Sequence, residues 1–198
     1  LPAGARLEPL LAKAHDLGRA AGPLAGRHVP PELRTLLRSM NSYYSNRIEG
    51  QHTRPHEIDQ ALRRDFSQNP DLAARQRLAV AHIDAEAALE LRYVGPAGAQ
   101  ALYTPGAVQD LHRELFGRLP AADLVTPEGT PVQPGEFRER DVRVGQHVAP
   151  AHGGVPDFLD RWANFYAGVR RGEAALVAAA AAHHRLGWIH PFVDGTVA

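Results

Sequence analysis

The chain alternates between stretches of regular apolar spacing and stretches broken by proline and glycine. After Pro30-Pro31, the apolar residues Leu33, Leu36, Leu37, Met40 and Tyr44 recur every three or four positions. That period puts them on one face of an amphipathic helix, started by proline, over residues 32–44. The pattern runs on to Ile48 and stops at Gly50, a residue suited to ending a helix. Arg54-Pro55 opens a shorter helix over 56–66. Asn69-Pro70-Asp71 opens a long one, with Leu72, Val80, Ile83, Ala87 and Leu91 on one face, ending near Gly95-Pro96. Thr104-Pro105 caps a helix through Phe116 that carries Val108, Leu111, His112 and Leu115.

Residues 120–150 behave differently. Pro127, Gly129, Pro131, Pro134, Gly135, Gly145 and Pro150 leave no room for a long helix. Within this stretch Val142 and Val144 flank Arg143, and Gly145-Gln146 and His147-Val148 follow, which reads as a short β-hairpin or flap. Helical signal returns over 156–169, where Phe158, Leu159, Trp162, Phe165 and Tyr166 stand at core spacing. A last helix, over 173–188, is almost all alanine on several sides. A helix apolar all round is usually the buried central member of a bundle. The pattern as a whole predicts an all-α bundle with one short hairpin, and no repeat or linker forces a division of the chain.

Composition narrows the function. The 198 residues are enough to bury a core, and 44% hydrophobic with 22% charged residues fits a soluble globular protein. Lys+Arg and Asp+Glu are 22 each, so the formal charge is zero, which argues against a general basic nucleic-acid footprint. The absence of cysteine excludes disulfides, thiolate ligands and thiol nucleophiles. The first twenty residues carry Arg6, Glu8, Lys13, His15 and Asp16, and the apolar run 174–182 is too short to cross a bilayer. Neither reads as a signal or a membrane span, so a cytoplasmic protein is expected.

Chemistry concentrates where the alanine-rich helix ends, in Trp188-Ile189-His190-Pro191-Phe192-Val193-Asp194-Gly195. Pro191 cannot extend the helix, and Phe192 would anchor the turn in the core and fix the direction of His190. A histidine so fixed is a competent general base. Asp194 beside Gly195 places a carboxylate next to flexible backbone, suited to a metal ion and a close phosphate. The bland alternative is a histidine that complements the helix dipole. His183 and His184 are adjacent, not four apart, so they form no zinc pair. His183 and His112 read as packed or hydrogen-bonded histidines.

The run His190–Gly195 resembles the first part of the Fic-family motif, HPFx(D/E)GN(G/K)R. Three further segments stand in that family's order. Ser45-Asn46-Arg47-Ile48-Glu49-Gly50 resembles its inhibitory motif, (S/T)xxxE(G/N). Gly135-Glu136-Phe137-Arg138 resembles its GxxR segment, and residues 142–150 resemble its target-clamping flap. The resemblance implies a Fic-like helical bundle in two parts. Residues 1–95 would be an N-terminal helical region carrying the inhibitory helix, and 96–198 a Fic core, incomplete at its C-terminal end. The motif departs from the family after Gly195, where Thr196, Val197 and Ala198 stand in place of Asn, Gly and Arg.

The resemblance further implies a nucleotidyltransferase that moves AMP from ATP to a Tyr, Thr or Ser hydroxyl of a target protein. His190 would be the general base. Asp194 would hold Mg²⁺ on the α- and β-phosphates, and the backbone after Gly195 would donate to phosphate oxygens. Val144, Gly145, Gln146 and His147 would lie near the nucleotide and pair with an extended target segment. Glu49 would reach the γ-phosphate region and hold ATP in a non-productive pose, with Ser45 on the same helical face. In some members that glutamate also helps position a water that removes AMP. Relief of Glu49 through subunit contacts would make a homo-oligomer part of the regulation. Two blander readings stay open: a solvated Glu49 with an ordinary surface hairpin, and a degenerate Fic scaffold that binds a nucleotide or partner without catalysis.

Overall fold

Proline and side-chain caps start the helices close to where the sequence predicts them. The Asn69 side chain accepts the Leu72 N–H at 3.1 Å, the Thr104 hydroxyl accepts the Ala107 N–H at 3.1 Å, and Glu57 reaches back to the Arg54 N–H at 2.6 Å. Each satisfies an amide that a helix start would leave without a partner, a contribution of about 1 kcal/mol. The computed structural model describes residues 3–24, 29–48, 50, 52–93, 95–126, 128–168 and 170–193. Its α-helices are α1 (Glu8–Ala21), α2 (Pro31–Ile48), α3 (Pro55–Leu62), α4 (Pro70–Arg92), α5 (Gly95–Ala101), α6 (Pro105–Phe116), α7 (Val155–Tyr166) and α8 (Gly172–Ile189). The strands β1 (Arg143–Val144) and β2 (His147–Val148) form one antiparallel hairpin, with Arg143 opposite Val148 and Val144 opposite His147. The fold is thus all-α with a two-stranded flap. Among the described residues no helix is long and apolar enough to cross a membrane.

Two groups of helices carry the packing. One is built on α4, which takes α2, α3 and α6 against it; the other is α8 against α1 and α7. The main core joins Val108 of α6, Val155, Leu159, Trp162 and Tyr166 of α7, Ala182 and Ile189 of α8, and Phe192 beyond α8. A smaller core joins Ile58 of α3 to Ala79 and Ile83 of α4. Polar ties add direction. The buried Gln76 amide donates to the Glu57 carbonyl and accepts the Ser67 N–H, fixing α4 to α3 and the intervening loop. Arg77 grips Asp123 through two hydrogen bonds of 2.6 and 2.9 Å. At the other end His15 of α1 meets Glu173 of α8 at 2.9 Å.

Several expectations are corrected. The apolar stripe of α2 does not face the core: Leu36 is 54% and Tyr44 56% exposed, and Leu33, Leu37 and Met40 are exposed with them. The buried face holds Ser42 and Asn46, because α2 meets α4 through small side chains. The Ser42 hydroxyl donates to the Ala79 carbonyl, the Asn46 amide donates to Ser42, and Arg34 and Arg38 pair with Glu90. Leu91, on the predicted inner face of α4, is 81% exposed, near the helix end. The helix α3 ends at Leu62, before the predicted limit, with Arg64 in a positive-φ conformation. Gly95-Pro96 does not only stop α4 but begins α5. Finally α8 is not buried all round. Val177, Ala178, Ala182 and Ile189 face the core, while Leu176, His183, His184 and Arg185 are exposed. Its alanines are too small for uniform apolarity to mean uniform burial. His183 is therefore not a packed histidine, and Phe165 of α7 is half exposed.

Candidate active site

A helix leaves its last carbonyls without intrahelical donors. At the end of α8 this problem falls on the predicted catalytic segment. Pro191 disfavours a right-handed helical conformation at the residue before it, so the helix stops at Ile189. His190 turns to φ 47°, ψ 68°, one of two described non-glycine residues with positive φ, and its N–H still reaches the Leu186 carbonyl at 2.9 Å. Such a conformation costs a non-glycine residue about 1–2 kcal/mol and persists only where the surroundings enforce it.

The enforcing contacts come from the segment after Gly135. Arg138 is buried, with no exposed side-chain surface, and it supplies the donors that α8 lacks. Its Nε donates to the His190 carbonyl at 2.8 Å and its backbone N–H to the Pro191 carbonyl at 2.8 Å. Its terminal nitrogens donate to the carbonyls of Arg140, Pro150 and, at 3.5 Å, Ile189. A cation at a helix C-terminus also meets the negative end of the dipole. Burial pulls the Arg138 pKa below the ordinary arginine value, and Asp141 at 4.0 Å opposes that shift.

The same segment is seated on α6. The Gly135 N–H donates to His112 Nδ1 at 2.8 Å and the Gly135 carbonyl accepts from Gln109 at 2.9 Å. Gly135 has φ +82°, a backbone conformation that favours glycine, and the end of the Arg113 side chain lies over it, 2.7 Å from where a Cβ would stand. As an acceptor at Nδ1, the neutral His112 ring carries its proton on Nε2, which has no hydrogen-bond partner among the described residues. That ring lies between Phe116 (centroids 4.4 Å) and Phe192 (3.9 Å). Burial, assisted by the neighbouring Arg113 charge, pushes its pKa down to about 4. Phe192 also meets Phe137 at 5.5 Å, so the motif phenylalanine is held from both sides.

The flap is tied to the same helix end. His147 Nε2 lies 2.8 Å from the Trp188 carbonyl, so this nitrogen carries a proton and donates. Its ring is 5.9 Å from the Trp188 ring. Ala149 donates to the Val142 carbonyl, and Asp141 accepts both the backbone N–H and Nδ1 of His152. Those two hydrogen bonds hold the Asp141 carboxyl below the usual carboxylate range.

The structure thus brings His147 and His190 to one place, the C-terminus of α8. Val144 is half-buried beside them in the hairpin, while Gly145 and Gln146 form its exposed turn. Ser45 is exposed on α2, whose packing is against α3 and α4. Glu49, Asp194 and Gly195 lie outside the described residues. Among the described residues no group of three His, Cys, Asp or Glu side chains could hold a metal ion. Sequence reasoning marked Arg138 only as part of a resembling segment and missed its hydrogen-bonding role and that of Gln109. Nothing in the chain order says that residue 138 meets residue 190. His112 is packed and hydrogen-bonded, as predicted, although its link to Gly135 had no local signal.

Comparison with known proteins agrees with this geometry. Residues 102–197 match the family model described as Fic/DOC family. The protein named protein adenylyltransferase Fic in Drosophila mojavensis is 32% identical over 109 residues, covering 54% of this chain and 20% of that protein. The protein of the same name in Drosophila virilis matches at the same identity and extent. The chain therefore spans about one fifth of the length of these curated relatives. A Fic family protein from Desulfovibrio desulfuricans G20, of known crystal structure, superposes with a TM-score of 0.67 over 99% of this chain and 55% of that one, at 16% identity, a likeness of fold. Residues 102–197, just under half of the chain, thus carry the match to the Fic/DOC family, and His190 lies within them at the capped end of α8.

Proposed function

We propose that the chain is a protein adenylyltransferase that moves AMP from ATP to a hydroxyl side chain of a target protein. The observation that carries this reading is the buried Arg138, which spends its donors on the turn that aims His190. A histidine held that firmly in a costly backbone conformation suits a base that must meet one proton in one direction. His190 takes the proton of a Tyr, Thr or Ser hydroxyl. The freed oxygen attacks the α-phosphorus of ATP, the bond to the bridging oxygen breaks, and pyrophosphate leaves. Phosphoryl-type transfer of this kind asks for positioning and charge neutralisation more than for covalent help.

An exposed flap edge favours an extended target. Val148 is 61% exposed on the hairpin, and a target strand adding there would pair by backbone beside His190. Asp194 would hold Mg²⁺, which supplies charge neutralisation at the phosphates; one carboxylate fits an ion that keeps its waters and takes phosphate oxygens. In this reading 1–95 forms the regulatory helical region and 96–198 the catalytic core. Glu49, four residues after Ser45 in the sequence, blocks the γ-phosphate position.

A second reading rests on one sequence observation. Thr196, Val197 and Ala198 stand where the family motif continues with Asn, Gly and Arg, so the phosphate-binding arginine is not in place. A scaffold that binds nucleotide or a partner without turnover would fit that substitution. Incubation with labelled ATP and Mg²⁺ separates the two. Labelling that rises in Glu49→Gly and vanishes in His190→Ala supports the transferase. Equal labelling in all three proteins refutes it, and nucleotide binding without any labelling favours the scaffold.

A further inference from the structure

We infer that Arg138 is a positioning residue that makes flap placement and base orientation a single mechanical unit. This rests on the transferase reading for its kinetic consequences, but its structural content stands apart. Five carbonyls converge on this residue. Those of Ile189, His190 and Pro191 belong to the terminus of α8 and the turn that presents the base. Those of Arg140 and Pro150 lie on either side of the flap hairpin. One planar guanidinium therefore holds both sides of the hairpin and the base-bearing turn at once. Its rigid fork fixes the angle between them in a way that a flexible ammonium could not.

The second tie strengthens the unit. His147, on β2, donates to the Trp188 carbonyl, so the returning strand of the flap is pinned to α8 at His147 and again, through Arg138, at Pro150. Force applied to the flap by a target strand is then passed to the turn at His190 rather than lost in a loose hairpin. Seating on α6 through Gly135, His112 and Gln109 gives the unit a fixed footing. The charge of Arg138 has no described carboxylate closer than Asp141 at 4.0 Å, so its donors go to backbone carbonyls, as a capping role requires.

The test compares wild type, Arg138→Lys, Arg138→Ala and His147→Ala in the full chain, by backbone amide exchange and by AMP transfer from labelled ATP. In Arg138→Lys the amides of His190 and of residue 138, which donate to Leu186 and Pro191, should lose protection about tenfold while those of α4 are unchanged. The transfer rate kcat should fall about a hundredfold with the KM for ATP unaltered, because misplacement of a base by about 1 Å costs that much. Added guanidinium should partly restore Arg138→Ala. His147→Ala should raise exchange at Ala149 and His190 together. A wild-type kcat in Arg138→Lys, a change in KM alone, or protection lost equally across α4 overturns the proposal. So does a His147→Ala effect confined to the flap. If wild type transfers no AMP, the transferase reading fails, and the exchange result alone upholds or overturns the anchoring of the turn.

Discussion

Acidification should loosen this protein through one histidine that does no chemistry. His112 is 6% exposed, stacked between Phe116 and Phe192, and its pKa is pushed down to about 4 by burial. In the unfolded chain the group returns to its ordinary 6.5. Between those values the unfolded state binds a proton that the folded state refuses, so stability falls as pH drops through this window and no further below it. Each pH unit of separation is worth about 1.4 kcal/mol, so the full effect is on the order of 3 kcal/mol. Between about pH 7.5 and about pH 5 the loss should reach about 2 kcal/mol. The His82 pKa is also lowered by burial, so it adds a loss of the same sign, and the measurement must be a difference. His112→Asn keeps an acceptor for the Gly135 N–H but cannot titrate. Loss of the ring should cost about 2 kcal/mol at neutral pH. Urea unfolding followed through the fluorescence of Trp162 and Trp188 gives both curves. Wild type should lose stability more steeply than the variant as pH falls, and the two should converge. Parallel curves would show that the buried ring accepts its proton in the folded state, and would refute the reasoning.

The remaining predictions concern packing and turns. Gly135→Ala puts a side chain at φ +82°, with the end of Arg113 free to move aside, so the backbone strain should lower stability by about 1–3 kcal/mol in thermal unfolding and weaken the proposed AMP transfer through the turn at His190. Leu36→Ser, on the exposed stripe of α2, should change stability by less than about 0.5 kcal/mol. Ser42→Leu, on the buried polar face against Ala79, should cost about 1–3 kcal/mol. The reverse ranking in denaturant titrations would show that α2 packs by its apolar stripe.

Much of the helix map was legible because its signals are local. Asn69-Pro70 and Thr104-Pro105 announce α4 and α6 by capping and by the fixed φ of proline, and the structure starts those helices there. The hairpin at 143–148 was legible from its glycine turn, and the end of α8 just before His190 from Pro191. The orientation of elements was less so. Period identifies a stripe, but not which stripe is covered. On α2 the small, hydrogen-bonding Ser42 and Asn46 allow closer approach to α4 than the leucines do, and they won the interface. On α8 uniform alanine left the buried side undetermined.

The site divides the same way. The amino-acid order alone set the histidine at the turn, the proline that stops its helix, and the phenylalanine that roots the turn, because each acts on its immediate neighbours along the chain. That His190 adopts a left-handed conformation, that Arg138 satisfies its carbonyl from 52 residues away, and that His112 stays neutral beneath Phe192 were decided only by folding. Unpaired helix-end carbonyls and buried ring nitrogens take whichever donor the tertiary packing brings within reach, and separation along the chain carries no record of that encounter.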